Sequence, residues 1–92
     1  MNDITSATET AIRPRSLATI AQEIESDWSK KGRGVSPYAR PYLDAMKTMG
    51  SITENYFHDS GVSVVLYFLA NAGAWRGDVA RRVKAELKGM AQ

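Results

Sequence analysis

An all-α fold, a small bundle of about four helices with a central buried helix, is what this sequence predicts. Three observations carry it. The segments 16–28 and 78–90 repeat apolar residues every three or four positions with charges between them, which is the spacing of one helix face. Prolines and glycines fall mostly between the apolar segments, where they punctuate a chain rather than break an element. The one strand-like run, VSVVLYFLA, has no second such run to pair with, and a lone strand would leave its backbone groups unsatisfied.

The first helix is predicted from Ser16 through SLATIAQEIESDW. Leu17, Ile20, Ala21, Ile24 and Trp28 share a face, while Glu23, Glu25 and Asp27 lie mostly elsewhere. Ser16 can accept a hydrogen bond from a first-turn amide, and Pro14 discourages an earlier start. The two glycines of SKKGRG end the helix. In SPYARPYLDAMKTMG, Pro41 would clash with the turn before it if one helix ran through both prolines, so the second helix begins near Pro41 after a turn-like Ser36 to Arg40. Tyr42, Ala45, Met46 and Met49 share its face, and Gly50 suits a left-handed residue past its end.

Ser51 and Glu54 have the spacing of a capping box, which predicts one or two helical turns over Ile52 to Phe57. The apolar run that follows is predicted as the central helix, Val62 to Ala72, capped by Asp59 or Ser60 and ended by Gly73. In the last segment Val79, Val83, Leu87 and Met90 form a stripe, and Asp78 stands four residues before Arg82, the spacing of a favourable helical ion pair.

The chain has 92 residues, the size of one domain that buries roughly 60–65% of its unfolded surface. We divide it into a flexible N-terminal leader, 1–15, and a single helical domain, 16–90. The leader is polar and lacks the apolar core of a secretory signal, and the uncharged segment Ser60 to Trp75 is shorter than the ~20 residues of a membrane span. With no cysteine in the sequence, there are no disulfides, thiolate ligands or thiol nucleophiles, as suits a reducing cytoplasm.

Chemistry is sparse. His58, the single histidine, stands beside Asp59 in HDSG. That pair could support an unfamiliar hydrolase, but no nucleophile, base and orienting group come together in the pattern. One histidine without cysteine cannot supply a zinc site, and the glycines form no phosphate-binding loop. The sequence therefore predicts no enzyme, no cofactor, no small-molecule substrate and no membrane association.

What remains is surface. The net charge is only +2, yet Lys30, Lys31, Arg33 and Arg40 form one basic cluster, and Arg76, Arg81, Arg82, Lys84 and Lys88 a second. Such clusters are either solvated faces or footprints for acidic partners. Of the eight aromatics, Tyr42, Phe68 and Trp75 are assigned to the core, while Trp28, Tyr38, Tyr56 or Phe57 could form an exposed patch beside the basic residues, a composition favoured at interfaces. The candidate interaction surface comprises Arg76, Arg81, Arg82, Lys84, Lys88, Lys30, Lys31, Arg33 and Tyr38.

The blocks PYLDAM (Pro41 to Met46), VLYFLANA (Val65 to Ala72), WRG (Trp75 to Gly77), ARR (Ala80 to Arg82) and KAELK (Lys84 to Lys88) stand in order along the chain. In that order and spacing the sequence resembles a family of small uncharacterised helical proteins of actinobacteria and their bacteriophages. The resemblance spans roughly Leu17 to Met90. It implies a phage or prophage origin and an intracellular setting, and it brings no catalytic residue or ligand with it. The function expected from these readings is non-catalytic binding of a host or phage protein, or of a second copy of the chain. The alternative is a DNA-binding protein that uses the basic C-terminal helix, its arginines contacting phosphates and guanine edges.

Overall fold

The computed structural model describes residues 14–92. Ser16 opens α1 (Leu17–Trp28), its hydroxyl accepting the Thr19 amide at 3.1 Å, and the five residues assigned to the inner face are the five that are buried. Trp28 belongs with them at 2% exposure, so the reading that put it in an exposed aromatic patch is corrected. The helical period carries its ring to the same side as Ile24, and burial of so large an apolar surface outweighs its position near the helix end.

After a turn in which the Ala39 and Arg40 amides both donate to the Ser36 carbonyl, α2 runs over Arg40–Met46 with Pro41 in its first turn. Leu43, Ala45 and Met46 are buried, as is Met49 just beyond the helix, and the Ala18 amide donates to the Met49 carbonyl, fastening this end to the start of α1. Gly50 is not left-handed, contrary to expectation: the positive-φ glycines are Gly32, Gly34 and Gly77. Its amide donates instead to the Glu54 carboxylate at 3.1 Å.

The predicted turns of helix over Ile52 to Phe57 are replaced by a hairpin of β1 (Asn55–Tyr56) and β2 (Asp59–Ser60), antiparallel with Tyr56 opposite Asp59. The carboxylate that a capping box needs to turn back on Ser51 reaches past it to Gly50, and the Glu54 carbonyl accepts the Gly61 amide at 2.8 Å. Among the described residues the fold is thus mostly helical, with four helices and a small two-stranded sheet.

Ser60 ends the hairpin and caps α3 (Gly61–Ala70), accepting the Ser63 amide. Gly61 is required by packing, because a Cβ there would sit 2.2 Å from the Ile52 carbonyl oxygen. The helix stops three residues before Gly73, where the Asn71 side chain donates to the Tyr67 carbonyl. Gly77 then takes φ 109°, a conformation costly for any residue with a Cβ, and leads into α4 (Asp78–Met90).

The helices α2 and α4 each pack on both α1 and α3. Val64, Val65 and Phe68 of α3 face inward, while Leu66 and Tyr67 are half exposed on its outer side, where the Tyr67 ring lies 5.4 Å from that of Tyr42. Tyr42, assigned to the core, is therefore only partly buried at its edge. Residues 1–13 of the expected leader lie outside the described residues. Arg15, at the leader's end, belongs to the folded unit: its Nη2 donates to Glu86 at 2.6 Å, and its Nη1 lies 2.9 Å from Glu23 in an ion pair without an aligned hydrogen bond.

Candidate functional site

The basic residues singled out from the sequence separate into those the fold uses internally and those it leaves outside. Lys31 and Lys84 are half-buried and hold the connection between α3 and α4. The Lys31 ammonium donates to the Arg76 carbonyl at 2.7 Å and pairs with Asp27 at 2.8 Å. The Lys84 ammonium donates to the Trp75 carbonyl at 2.6 Å and stands 5.9 Å from the Trp75 ring centre. Burial pushes its pKa below the ordinary lysine range, with Lys88 and Arg76 adding to the effect. Both cations thus satisfy carbonyls that the short connection would otherwise leave unpaired, and neither is a free surface charge.

Arg82 does not pair with Asp78 as its spacing predicted. It reaches Glu23 on α1, and Asp78 pairs with Arg81 instead. Glu23 takes both Arg82 and Arg15, which hold its carboxyl below the usual carboxylate range, the hydrogen bond from Arg82 first. Arg40 and Lys47 similarly converge on Glu25 across the α1–α2 contact, at 2.5 and 2.7 Å. Sequence spacing sees only partners on the same helix, so both cross-helix sets were invisible to it.

Lys30, Arg33, Arg76 and Lys88 are exposed and have no ion-pair partner among the described residues. One of these four, Arg33, lines a groove of about 380 Å³ together with Trp28, Lys31, Val35, Pro37 and Ala74, with Gly32, Gly34 and Ser36 completing the wall. Lys30 and Arg33 come from the loop after α1, and the backbone of Arg76 is drawn in by Lys31. The floor is rigid. Trp28 stacks on Trp75, the Trp75 indole nitrogen donates to Asp27 at 2.9 Å, and Phe68 meets both rings edge-on. Tyr38 stands 75% exposed beside Pro37. The Asp27 carboxylate is consumed by Lys31 and Trp75, which leaves Arg33 as the unpaired charge on the groove's lining.

A second feature lies at the tip of the hairpin, itself not expected from the sequence, and it carries Phe57, one of the aromatics offered for an exposed patch. Phe57 is 84% exposed and has φ 56°, the one non-glycine residue with positive φ among those described. It opens a two-residue loop whose first position favours glycine when that position has positive φ. A side chain there costs ~1–3 kcal/mol of backbone strain. Its ring is supported edge-on by Tyr56 at 4.8 Å, while His58 and Asp59 beside it are exposed. The signal available in the sequence was YFHD between polar residues, which gives no indication of a positive φ.

Among the described residues, no three His, Asp or Glu side chains gather to hold a metal, and no helix is long and apolar enough to cross a membrane. No family model matches the chain, and neither a curated protein nor a solved structure is significantly similar to it.

Proposed function

We propose that the protein acts by non-catalytic binding of another protein, and that the groove between residues 28–37 and Ala74 receives an apolar or aromatic side chain from an acidic segment of the partner. One observation supports this above the others: a groove that reaches the Trp28 ring, itself stacked on Trp75, carries on its wall Arg33, which has no ion-pair partner among the described residues. A few polar groups placed around an apolar concavity are what fix a ligand's orientation, and an unpaired cation on its wall draws an acidic segment toward it. Following the resemblance in its sequence blocks, we place the protein in the cytoplasm of an actinobacterium, in a phage or prophage setting, with a host or phage protein as partner.

DNA binding by α4 is the second reading, supported by exposed Arg81, Arg82 and Lys88. It is the weaker one, since Arg82 is given to Glu23 and Lys84 to the Trp75 carbonyl, which reduces the cations free for phosphates. Amide chemical-shift mapping separates the two. An acidic pentapeptide with a central phenylalanine should shift amides of residues 28–37 and 74–76, and Arg33→Glu should remove the effect. Shifts confined to α4 on adding duplex DNA, with none from the peptide, would instead establish the second reading.

A further inference from the structure

We infer that the chain associates with itself head to tail, the hairpin tip of one copy seating Phe57 in the Trp28 groove of the next. The inference rests on the interaction reading above and names the segment that fills the site. Three observations carry it. Phe57 occupies the first position of the two-residue hairpin loop, where the tight turn itself takes a positive φ, and a position that favours glycine there carries a large aromatic ring that is 84% exposed. The segment that presents it is acidic: between Lys47 and Arg76 the chain has no lysine or arginine, Asp59 lies in the hairpin and Glu54 directly precedes it. The groove has the opposite character: Arg33 on its lining has no ion-pair partner among the described residues, Lys30 stands in the same loop, and the carboxylate of Asp27 is taken up by Lys31 and Trp75.

Complementary charge steers such surfaces together and fixes their register, and an aromatic anchor in a desolvated pocket carries most of the energy of a small contact. At about 380 Å³ the groove lies at the small end of ligand-binding clefts, which suits one aromatic side chain and its flanking backbone. Tip and groove are different surfaces, so the contact is heterologous. Each copy then keeps one free tip and one free groove, and association proceeds to rings or open chains. A hairpin in a groove belongs to the class of small interfaces below ~1,200 Å² that associate weakly.

The test uses two variants of the full chain. Phe57→Gly removes the anchor while keeping a residue that accepts φ 56°, and the double variant Lys30→Glu with Arg33→Glu reverses the rim through exposed side chains that hold nothing else. Weight-average mass by sedimentation is read at about 0.5 mM, where small contacts of this class are populated. Wild type should rise above the 10.1 kDa monomer with concentration, and each variant alone should remain at it. An equimolar mixture of the two variants should form a heterodimer and stop there, because it contains one working tip and one working groove. A monomeric wild type, self-association unaffected by Phe57→Gly, or a mixture that stays monomeric would each overturn the inference. Binding of the acidic phenylalanine peptide in the groove of a monomeric wild type would leave the interaction reading standing without it. Absence of both peptide binding and self-association would remove the two together.

Discussion

Trp28 and Trp75 stack with ring centres 5.8 Å apart and planes 15° from parallel, joining the last turn of α1 to the connection before α4. The pair is anchored by a hydrogen bond from Trp75 to Asp27, which in turn holds Lys31. Trp75→Phe keeps most of the apolar surface and removes the donor to a charged acceptor, a loss of ~1.5–3 kcal/mol. Trp75→Ala removes the ring as well and should cost ~3–5 kcal/mol. Urea unfolding checks both, with a lowered midpoint and an unchanged slope for the phenylalanine variant.

Much of this core was legible from spacing alone. The inward face of α1, the burial of Val83 and Leu87, and the caps at Ser16 and Ser60 follow from periods and residue types that act over one or two turns. What was not legible depends on distance in sequence. Glu23 and Glu25 look like solvated charges on a helical wheel, yet each collects two cations from other segments. The hairpin was read as helix because Ser51 and Glu54 have capping spacing, while its actual pairing depends on the close approach of Gly61 to Ile52. Of the candidate surface, the basic loop Lys30 to Arg33 was visible as composition. The groove was not, since its floor is a tryptophan whose burial requires Trp75 and Phe68 from the far end of the chain.

The Glu25 set predicts an acid limb in stability. Hydrogen bonds from Arg40 and then Lys47 hold the Glu25 carboxyl down at about 2, against an ordinary 4.5. Between these values the unfolded chain binds the proton and the folded chain does not, so the contribution is fully present above about pH 4.5 and is lost as pH falls toward 2. Glu25 is near a third exposed, so water screens the pair and the worth is about 1 kcal/mol rather than the full shift. Glu25→Gln should lower stability at pH 7 by that amount and flatten the decline between pH 5 and 2, measured by urea unfolding across that range. Glu23 and Asp27, whose carboxyls are also held low, will keep part of the slope.

Two glycines predict opposite signs for the same substitution. Gly61→Ala would set a Cβ 2.2 Å from a backbone oxygen of Ile52, which no rotamer change can relieve, and overpacking against backbone should cost about 2–4 kcal/mol. Gly89 lies within α4 and a Cβ there meets nothing within 4 Å. Gly89→Ala should therefore stabilise by up to ~1 kcal/mol through helix propensity, less near the frayed end. Thermal unfolding of the two variants beside wild type decides whether the hairpin is as tightly fastened to α3 as the Gly61 contact requires.

Substitutions at position 57 separate the cost of the Phe57 backbone from the contribution of its ring. Phe57→Gly accepts the positive φ without penalty and should stabilise the chain by ~0.5–1 kcal/mol, after subtracting the small loss of an exposed edge contact with Tyr56. Phe57→Ala keeps the backbone cost and loses that contact, so it should be neutral or slightly destabilising. Phe57→Tyr keeps both ring and cost. If the residue is retained for a contact outside its own fold, the two truncations must agree in losing self-association although they differ in sign on stability, and the tyrosine must keep it. Denaturant unfolding and sedimentation on the same three preparations give both readouts. A stability gain for Phe57→Gly with undiminished association would mean that the strained ring has no binding role, whereas loss of association in a more stable protein ties the strain to the contact it presents.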